Sequence, residues 1–493
     1  MTSAIQTAGP VLAEVIERAA DADGWERFER QLRSSGYCRR PVRLRGQTDA
    51  IDVATGECRT TFSTTSEPDE TLLKCCGNRR ETVCPSCAEV YRGDAFQLVA
   101  AGLRGGKGVP DSVSAHPAVF VTLTAPSFGP VHALREANGR AGRCRPRRNA
   151  ALCPHGVRLS CGEVHDADDP RLGEPLCPDC FDYRGAVLWN ALAPELWRRT
   201  AIQIPRELAR TCGVSQRRLR ERVRVSYVKV AEYQRRGVVH FHAVVRLDAA
   251  KPAGQIEAPR AEFTADLLAR AIRAAVEHAS APVPRDPDDV RLAVEHVRWG
   301  RQLNVRDLAL SAAEAGTCAA YIAKYATKST EAVGGLTHRL AAAELQRLPV
   351  RPHVERIVRC AWELATEPHL RELRLRRWAH ALAFRGHCFT KSRRYSTTFV
   401  ALRRARHEHV LARLGGGRRR DPWGRPWRDG HTVEHKRYAF TGTGYRTLGD
   451  AWLAESAAAR AREQRRIARE ELRIGTHGRI EGRESVHESG RHA

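Results

Sequence analysis

Two β-rich stretches stand near the middle of the chain, RVSYVKVAEY at Arg224–Tyr233 and VVHFHAVVRL at Val238–Leu247. The intervening QRRG predicts a hairpin with a three-residue loop over 235–237, in which the glycine adopts positive φ. AVFVTLTA at Ala118–Ala125 predicts a further buried strand, and the apolar spacing over 263–276 predicts a helix. This order of elements indicates an α+β fold in which helices cover one face of an antiparallel sheet.

The hairpin also concentrates metal-binding chemistry. With the predicted loop, Glu232 lies directly opposite His240, and Val230 lies opposite His242. Residues two apart on a strand face the same side, and directly paired residues share a face, so two imidazoles and one carboxylate converge. Three ligands with open positions suit Mg²⁺ or Mn²⁺ acting on a phosphate oxygen. The alternative is a histidine pair on a solvated sheet face, which the apolar strand and the opposed carboxylate disfavour.

A second constellation lies in a helix predicted over about 313–330. Tyr321, Lys324, Tyr325 and Lys328 fall on one face of that helix. A phenol is a weak nucleophile at neutral pH, but a metal-bound phosphate and nearby ammonium groups can activate it, and the lysines can also hold phosphate oxygens. Because both lysines flank Tyr325, we expect that tyrosine to make the first cut. Taken alone, the spacing also fits two ordinary tyrosines at the edge of a core.

Three segments together resemble a known enzyme family. FVTLTAPSFG at Phe120–Gly129, VVHFHAV at Val238–Val244 and YIAKYATK at Tyr321–Lys328 have the order and spacing of the three motifs of His-hydrophobic-His (HUH) endonucleases. Over roughly residues 36–405 the chain resembles the rolling-circle replication initiators of actinobacterial plasmids and integrative elements.

This resemblance implies a ferredoxin-like or RRM-like nickase core with the metal site on a central strand. It implies a metal-dependent, site-specific DNA endonuclease and strand transferase. Such an enzyme cuts one strand at a double-strand origin, forms a 5′-phosphotyrosine with a free 3′-OH, and later rejoins the strand. The implied site residues are the metal ligands His240 and His242 with Glu232 as the third, and the nucleophiles Tyr321 and Tyr325.

Two other functions fit the same features. Two-tyrosine transposases and conjugative relaxases use the same chemistry, and the DNA end that is cut would separate them from an initiator. A zinc-containing DNA-binding regulator without catalysis is a rival of a different class, which the intact set of ligands and tyrosines disfavours. No G-x-x-x-x-G-K-[ST] motif occurs, so we expect no ATP site in this chain and unwinding by a host helicase.

Paired cysteines predict about two structural zinc sites. Cys84-Pro-Ser-Cys87 and Cys177-Pro-Asp-Cys180 are C-P-x-C knuckles, and zinc prefers four tetrahedral thiolate or imidazole ligands. The preferred ligand sets are Cys38, Cys76, Cys84 and Cys87, and Cys153, Cys161, Cys177 and Cys180. Substitutes are Cys58 and Cys75 for the first set and Cys144, His155 and His165 for the second, where a further ion has room to bind.

Composition points to a soluble partner of nucleic acid. The chain has 82 Lys and Arg against 57 Asp and Glu, a formal net charge of +25, which favours a polyanion such as single- or double-stranded origin DNA. Hydrophobic residues make up 42% of the chain, which excludes a wholly disordered protein. Without a long apolar run or a secretory signal, we expect no membrane association and a cytoplasmic location with the nucleoid or plasmid, where thiols stay reduced.

The sequence predicts four regions. They are an N-terminal zinc module over 1–110, a nickase core over 116–335 interrupted by a zinc-binding insertion over 138–185, a basic DNA-contact extension over 336–405, and a basic, partly disordered tail over 406–493. The stretch 371–406 mixes eleven Arg and Lys with aromatic residues, which is typical of a single-strand contact surface. Its candidate DNA contacts are Arg385, His387, Lys391, Arg393, Arg394 and Tyr395. An alternating apolar pattern over 290–296 predicts one more strand.

Overall fold

A computed structural model describes residues 2–488 of the chain except 138–139, 253, 287–294, 309–311, 329–332, 334, 414–421 and 424–430. The chain divides into two compact units, one formed by Met1–Tyr91 with Arg406–Ala493 and the other by Arg92–Ala405. Within the described ranges, no helix combines the length and apolar character that crossing a bilayer requires.

The helices and strands follow one another along the chain in a mixed order. The helices are α1 (Thr2–Ala20), α2 (Ala22–Ser34), α3 (Pro85–Arg104), α4 (Tyr183–Thr211), α5 (Gln216–Arg220), α6 (Ala265–His278), α7 (Ala312–Ala326), α8 (Pro352–Leu364), α9 (Leu375–Trp378), α10 (Phe399–Arg413) and α11 (Leu448–Glu488). The strands are β1 (Val42–Asp52), β2 (Cys58–Ser63), β3 (Leu72–Lys74), β4 (Ala118–Leu123), β5 (Arg135–Ala137), β6 (Arg140–Arg145), β7 (Cys161–Val164), β8 (Val223–Tyr233), β9 (Val239–Ala249), β10 (Ser280–Pro282), β11 (His296–Arg298), β12 (Leu303–Asp307), β13 (Phe389–Lys391) and β14 (Thr432–Thr443).

The predicted hairpin forms the centre of the larger unit. Its sheet has the strand order β12-β4-β9-β8-β13 in the described residues, with every neighbouring pair antiparallel. The β8–β9 register places Glu232 opposite His240, as the loop length predicts. Gly237 has φ 76°, and a Cβ there would lie 2.4 Å from Cδ1 of Ile357. Both the backbone conformation and the tight packing therefore require glycine at the end of this loop.

Helices cover both faces of this sheet. On one face, the Trp197 ring of α4 lies 6.1 Å from the ring of Phe241. On the other, α7 packs Tyr321 within 3.3 Å of His242, the next residue along β9. The prediction that helices cover one face is therefore wrong. Because β9 carries fully buried apolar residues on both sides, exemplified by Val244 and Val245, it needs cover on both.

One edge of the sheet is a strand that the sequence pattern does not predict. The alternating strand predicted over 290–296 falls mostly on 287–294, outside the described residues. His296 begins β11, which pairs with β10 in a separate small sheet. The edge beside β4 is instead β12, in which Val305 pairs with Val121.

The Cys-rich insertion contains the three strands β5, β6 and β7 in an antiparallel meander. This small sheet begins at Arg135, before the predicted boundary at 138. Backbone hydrogen bonds from His132 N to Glu174 O and from Gly173 N to His132 O, each 2.9 Å, join the start of the insertion to its end.

The smaller unit combines the two ends of the chain. β14 pairs with β1 along Val42–Asp52, and β2 and β3 also pair with β1. Arg18 of α1 binds Asp450 of α11 at 2.8 Å. The segment 406–493, predicted as a partly disordered tail, thus contributes a strand and a helix to the same unit as the N-terminal residues.

Candidate active site and metal centres

Glu232, His240 and His242 converge at one point on the β8–β9 hairpin. Oε2 of Glu232 lies 2.9 Å from Nε2 of His240 and 3.1 Å from Nε2 of His242. Thr122 Oγ1 lies 3.1 Å from Nδ1 of His242, which leaves Nε2 of that ring directed at the carboxylate. Adjacent ligands of an octahedral ion bound at about 2.1 Å are about 3.0 Å apart. The residues present therefore fit an Mg²⁺ or Mn²⁺ ion.

The charges at this point also suit a metal. Burial alone raises the pKa of Glu232, but hydrogen bonds from His240 and His242 outweigh it and lower that pKa to about 2. Burial lowers the pKa of His242 below its ordinary value. At neutral pH the site thus presents an ionised carboxylate and a neutral imidazole, the protonation states that bind metals.

Both tyrosines of α7 reach this cluster. Tyr321 Oη lies 3.3 Å from Nε2 of His242, and the ring of Tyr325 stacks on the same imidazole with centroids 5.8 Å apart. The two phenol rings are 4.9 Å apart, centroid to centroid. On the opposite side of α7, Ala319 and Ile322 are fully buried. The apolar face anchors the helix and turns both phenols toward Glu232, His240 and His242.

The lysines do not make Tyr325 more acidic. Nζ of Lys324 and of Lys328 lie 5.8 and 5.2 Å from the centre of the Tyr325 ring. Burial, followed by the Glu232 carboxylate, raises the pKa of Tyr325 well above its ordinary value, and burial also raises the pKa of Tyr321. Burial and the Glu232 carboxylate therefore oppose the Tyr325 phenolate that the flanking cations are expected to favour.

A cavity of about 520 Å³ opens beside Tyr321, between β4, β12 and α7. Its volume is in the range of small-molecule sites. Sequence reasoning missed the contribution of β12 because that strand is short and carries little apolar alternation. The lining residues are Phe120, Thr122, Asn304, Arg306, Asp307, Leu308, Glu314, Thr317, Cys318 and Tyr321.

The first predicted cysteine set comes together in the smaller unit. Cys38, Cys76, Cys84 and Cys87 place their sulfurs within 4.8 Å of one another. The Sγ pairs 38–84, 38–87 and 76–87 are each 3.7 Å apart. Tetrahedral zinc with Zn–S bonds of about 2.3 Å separates its sulfurs by about 3.8 Å. The predicted substitutes Cys58 and Cys75 are exposed.

The second set forms with one exchange of ligand. Cys153, Cys177 and Cys180 group with His155, whose Nδ1 lies 3.2 Å from the Sγ of Cys180. Cys161, predicted as the fourth ligand, lies elsewhere, because its pairing with β6 in the small sheet directs it to another cluster. A tight turn from residue 153, closed by Gly156 N donating to Cys153 O, brings His155 in instead.

A further cluster joins Cys161 to three other residues in the insertion. Cys144 and His165 are among the predicted substitute ligands, but His132 lies before the predicted insertion and no cysteine or histidine spacing indicates it. The four are His132, Cys144, Cys161 and His165.

Some of the predicted DNA contacts in the basic extension are exposed. Arg385, His387 and Arg393 are exposed, whereas Lys391 is half-buried, with Nζ donating to the Ser396 carbonyl at 3.0 Å. Arg394 donates to the carbonyl of Lys251.

Tyr395 is not available for stacking on a base. It is fully buried, and its hydroxyl donates to the carbonyl of Val99 at 3.3 Å. Its ring covers the guanidinium of Arg246, which pairs with Asp248 at 2.7 Å. The prediction that Tyr395 contacts DNA is therefore wrong. Although Tyr395 lies in a basic segment, it is a core residue that packs on a buried ion pair.

Comparison with known proteins confirms the resemblance to replication initiators. A family model described as "Replication initiator protein, pSAM2" matches residues 24–459. A replication initiator protein of Streptomyces ambofaciens is 41% identical over 466 residues, which cover 92% of this chain and 95% of that protein. No solved structure matches the chain. A match over most of the length to both the family and this relative means that the chain belongs to the pSAM2 (RepSA) family of replication initiator proteins.

Proposed function

We propose that this protein starts rolling-circle replication by nicking one strand at the double-strand origin of a plasmid or integrative element, and that it later rejoins the strand. The observation that carries this proposal is the 3.3 Å approach of Tyr321 Oη to Nε2 of His242, beside Glu232 and His240. A candidate nucleophile and a candidate metal site thus meet within one hydrogen-bond length. The family membership supports the choice of an origin as the DNA substrate.

Glu232, His240 and His242 would hold the Mg²⁺ or Mn²⁺ ion. When bound, the ion would withdraw charge from an oxygen of the scissile phosphate. The protein itself holds the ligands in place: Thr122 contacts Nδ1 of His242, and the ring of Phe120 stacks on the same imidazole with centroids 5.8 Å apart.

The covalent step transfers the phosphate to tyrosine. The phenol oxygen forms a bond to phosphorus while the bond to the 3′ oxygen breaks. The phenol proton leaves to solvent, to which Tyr321 is 39% exposed, and the departing 3′ oxygen takes up a proton to become a 3′-OH. The phosphodiester is exchanged for a phosphotyrosine, so the reverse reaction closes the strand without ATP. The second phenol, 4.9 Å away, can attack the regenerated origin.

The surroundings of Tyr321 suit a DNA strand. The cavity beside it has room for a nucleotide next to the scissile phosphate, with Arg306 and Asn304 on its wall. Lys324 lies on α7, whereas Lys328 follows the end of that helix, which is shorter than the sequence predicts; both lysines are exposed and can bind flanking phosphates. We assign the exposed basic residues of the extension to further backbone contacts, and unwinding to a host helicase.

We propose zinc for the two cysteine-rich sites that the sequence predicts. The Cys38 set has sulfur separations close to those of tetrahedral zinc, and the Cys153 set offers three thiolates with one imidazole. Small Cys-rich modules have too little apolar area to fold without an ion, so these sites serve structure.

Nicking of supercoiled DNA tests the proposal. Wild-type protein with Mn²⁺ should convert an origin plasmid to open circles whose 3′ ends a polymerase extends. Glu232→Gln should not, while Glu257→Gln, which removes a charge from a half-exposed site that pairs with Lys251, should act as wild type. Equal nicking by Glu232→Gln and wild type would overturn the site. Origin binding without nicking in Mg²⁺ or Mn²⁺ would favour the non-catalytic regulator instead.

A further inference from the structure

The cluster of His132, Cys144, Cys161 and His165 has the spacing of a metal site. Nδ1 of His132 lies 3.1 Å from Nε2 of His165, and that nitrogen lies 3.5 Å from Sγ of Cys161. Tetrahedral zinc separates two imidazole nitrogens by about 3.3 Å and a nitrogen from a sulfur by about 3.5 Å. All four donor atoms lie within 4.8 Å of one another, and Cys144 is fully buried.

Side chains outside the cluster fix the orientation of one of its histidines. Nδ1 of His165 donates to Oδ2 of Asp169 at 2.6 Å, and Arg171 holds the same carboxylate at 2.9 Å. A carboxylate behind a histidine fixes the ring orientation and leaves the other nitrogen to face a metal, an arrangement common to metal-binding histidines. This contact is independent of the distances among the four donors.

The cluster ties together segments that are distant along the chain. Cys144 lies on β6 and Cys161 on β7, which pair in the small sheet. His132 lies on the segment that follows β4, and its backbone bonds with Gly173 and Glu174 close the insertion. An ion here would hold three separate segments together.

The far side of the same loop touches the tip of the catalytic hairpin. Arg235 donates to the carbonyl of Ala167 at 2.6 Å. A Cβ on Gly173 would lie 2.3 Å from the Arg235 carbonyl oxygen, so loop and tip are in close contact. Arg351 contacts both the loop and the hairpin tip, because it donates hydrogen bonds to the carbonyls of Leu172 and Arg235 at 2.9 and 2.7 Å.

We propose that His132, Cys144, Cys161 and His165 bind a zinc ion of their own, distinct from the Cys153 set, and that this ion fixes the hairpin tip through the loop from 165 to 173. The protein then carries three structural zinc ions. The ion is a positioning device for Glu232 and His240, which flank the tip, and not part of the chemistry.

Zinc content and local hydrogen exchange test this inference independently of nicking. Native mass spectrometry of full-length wild type should show three zinc ions, and Cys161→Ser should show two. Cys212→Ser changes a half-buried thiol outside the metal-binding clusters found in the described residues and should keep three. Loss of the ion should speed amide exchange at Gln234 and Gly237, whose hydrogen bonds close the hairpin loop.

If Cys161→Ser does not fold, His165→Cys serves in its place, because it keeps a ligand and should retain three ions, whereas His165→Phe should lose one. A zinc count in both Cys161→Ser and His165→Phe equal to that of wild type would overturn the site, whatever the occupancy of the other two clusters. Loss of one ion with unchanged exchange at the tip would overturn the positioning role.

Discussion

Glu232 and His240 lie directly opposite each other on β8 and β9, with Oε2 of the carboxylate 2.9 Å from Nε2 of the imidazole. The same oxygen lies 3.1 Å from Nε2 of His242. One carboxylate therefore links two imidazoles that lie two residues apart on the same face of the strand. Because one carboxylate oxygen contacts both rings, the loss of any one of the three side chains should disable the set.

Replacement of a metal ligand should separate cutting from binding. His240→Ala and His242→Ala should each lower nicking in Mn²⁺ by at least about 100-fold. Loss of a metal ligand should lower activity at least as much as loss of a residue that hydrogen-bonds to a ligand. Affinity for duplex origin DNA should change little, since it rests on basic surface elsewhere. His296→Ala, at an exposed position on β11, is the control. Wild-type nicking by either ligand variant would contradict the assignment.

The two tyrosines should have different roles. Tyr321 Oη lies within hydrogen-bond distance of His242, so Tyr321→Phe should lose most of the first cleavage. Tyr325→Phe should still nick but fail to terminate, leaving multimeric strands. Single-turnover cleavage of labelled origin strand measures this, with Tyr227→Phe as a tyrosine control on the same sheet. The division of roles would be refuted if Tyr325→Phe, and not Tyr321→Phe, lost the first cleavage. It would also be refuted if both single variants cleaved normally and only the double variant was inactive.

Removal of zinc should affect the insertion before the sheet. The three-stranded sheet β5-β6-β7 is small, and cysteine and histidine clusters surround it, so it has little apolar core of its own. With a chelator, limited proteolysis should cut first within 140–185, while β8 and β9 stay intact. First cleavage in the β8–β9 strands, or no change on chelation, would argue against structural zinc in the insertion.

The buried amine of Lys229 should make stability depend on pH. Burial lowers the pKa of Lys229 to about 8 from 10.5. The unfolded chain then binds more protons between pH 8 and 10.5, so this group raises stability as pH rises through that window. The stability of wild type relative to Lys229→Met should grow by up to about 3 kcal/mol across it. Urea unfolding at several pH values measures this, with Lys251→Met as the control. A difference in stability between wild type and Lys229→Met that does not change with pH would contradict the lowered pKa of Lys229.

Tyr395 and Arg385 should behave oppositely. Tyr395→Ala empties a fully buried site and should lower stability by about 3–5 kcal/mol. At a temperature where the variant is folded, its DNA affinity should equal that of wild type. Arg385→Ala should leave stability unchanged but weaken DNA binding and reduce its salt dependence by about one phosphate contact. A folded Tyr395→Ala variant with reduced affinity would restore Tyr395 to the DNA surface.

The hairpin and the convergence of Glu232 with His240 and His242 are predictable because the information is local. A glycine-terminated loop sets the register, and register with strand alternation brings Glu232 to His240 and His242. The stripe on α7 is local as well, since helical spacing alone aligns Tyr321 with Tyr325. The first cysteine set is also predictable, because one C-P-x-C pair supplies two of its four cysteines at close range.

The parts that sequence reasoning missed depend on contacts far apart in the chain. His132 and Cys161 meet only because the small sheet closes on the segment after β4, which spacing between cysteines does not reveal. Cover on both faces of the central sheet, and the burial of Tyr395 against Arg246, likewise depend on tertiary packing. Composition predicted a basic surface there but not which aromatic side chains face inward.

The central claim, transfer of the origin phosphate to a tyrosine of α7, is tested most directly by isolating the covalent product. Wild-type protein is incubated with single-stranded origin oligonucleotide and Mn²⁺, denatured, digested with protease and nuclease, and analysed by mass spectrometry. We expect a nucleotide linked through its 5′ phosphate to Tyr321 or Tyr325, and a released fragment ending in a 3′-OH. Cut DNA with no peptide adduct, or an adduct on a residue outside α7, would contradict the account.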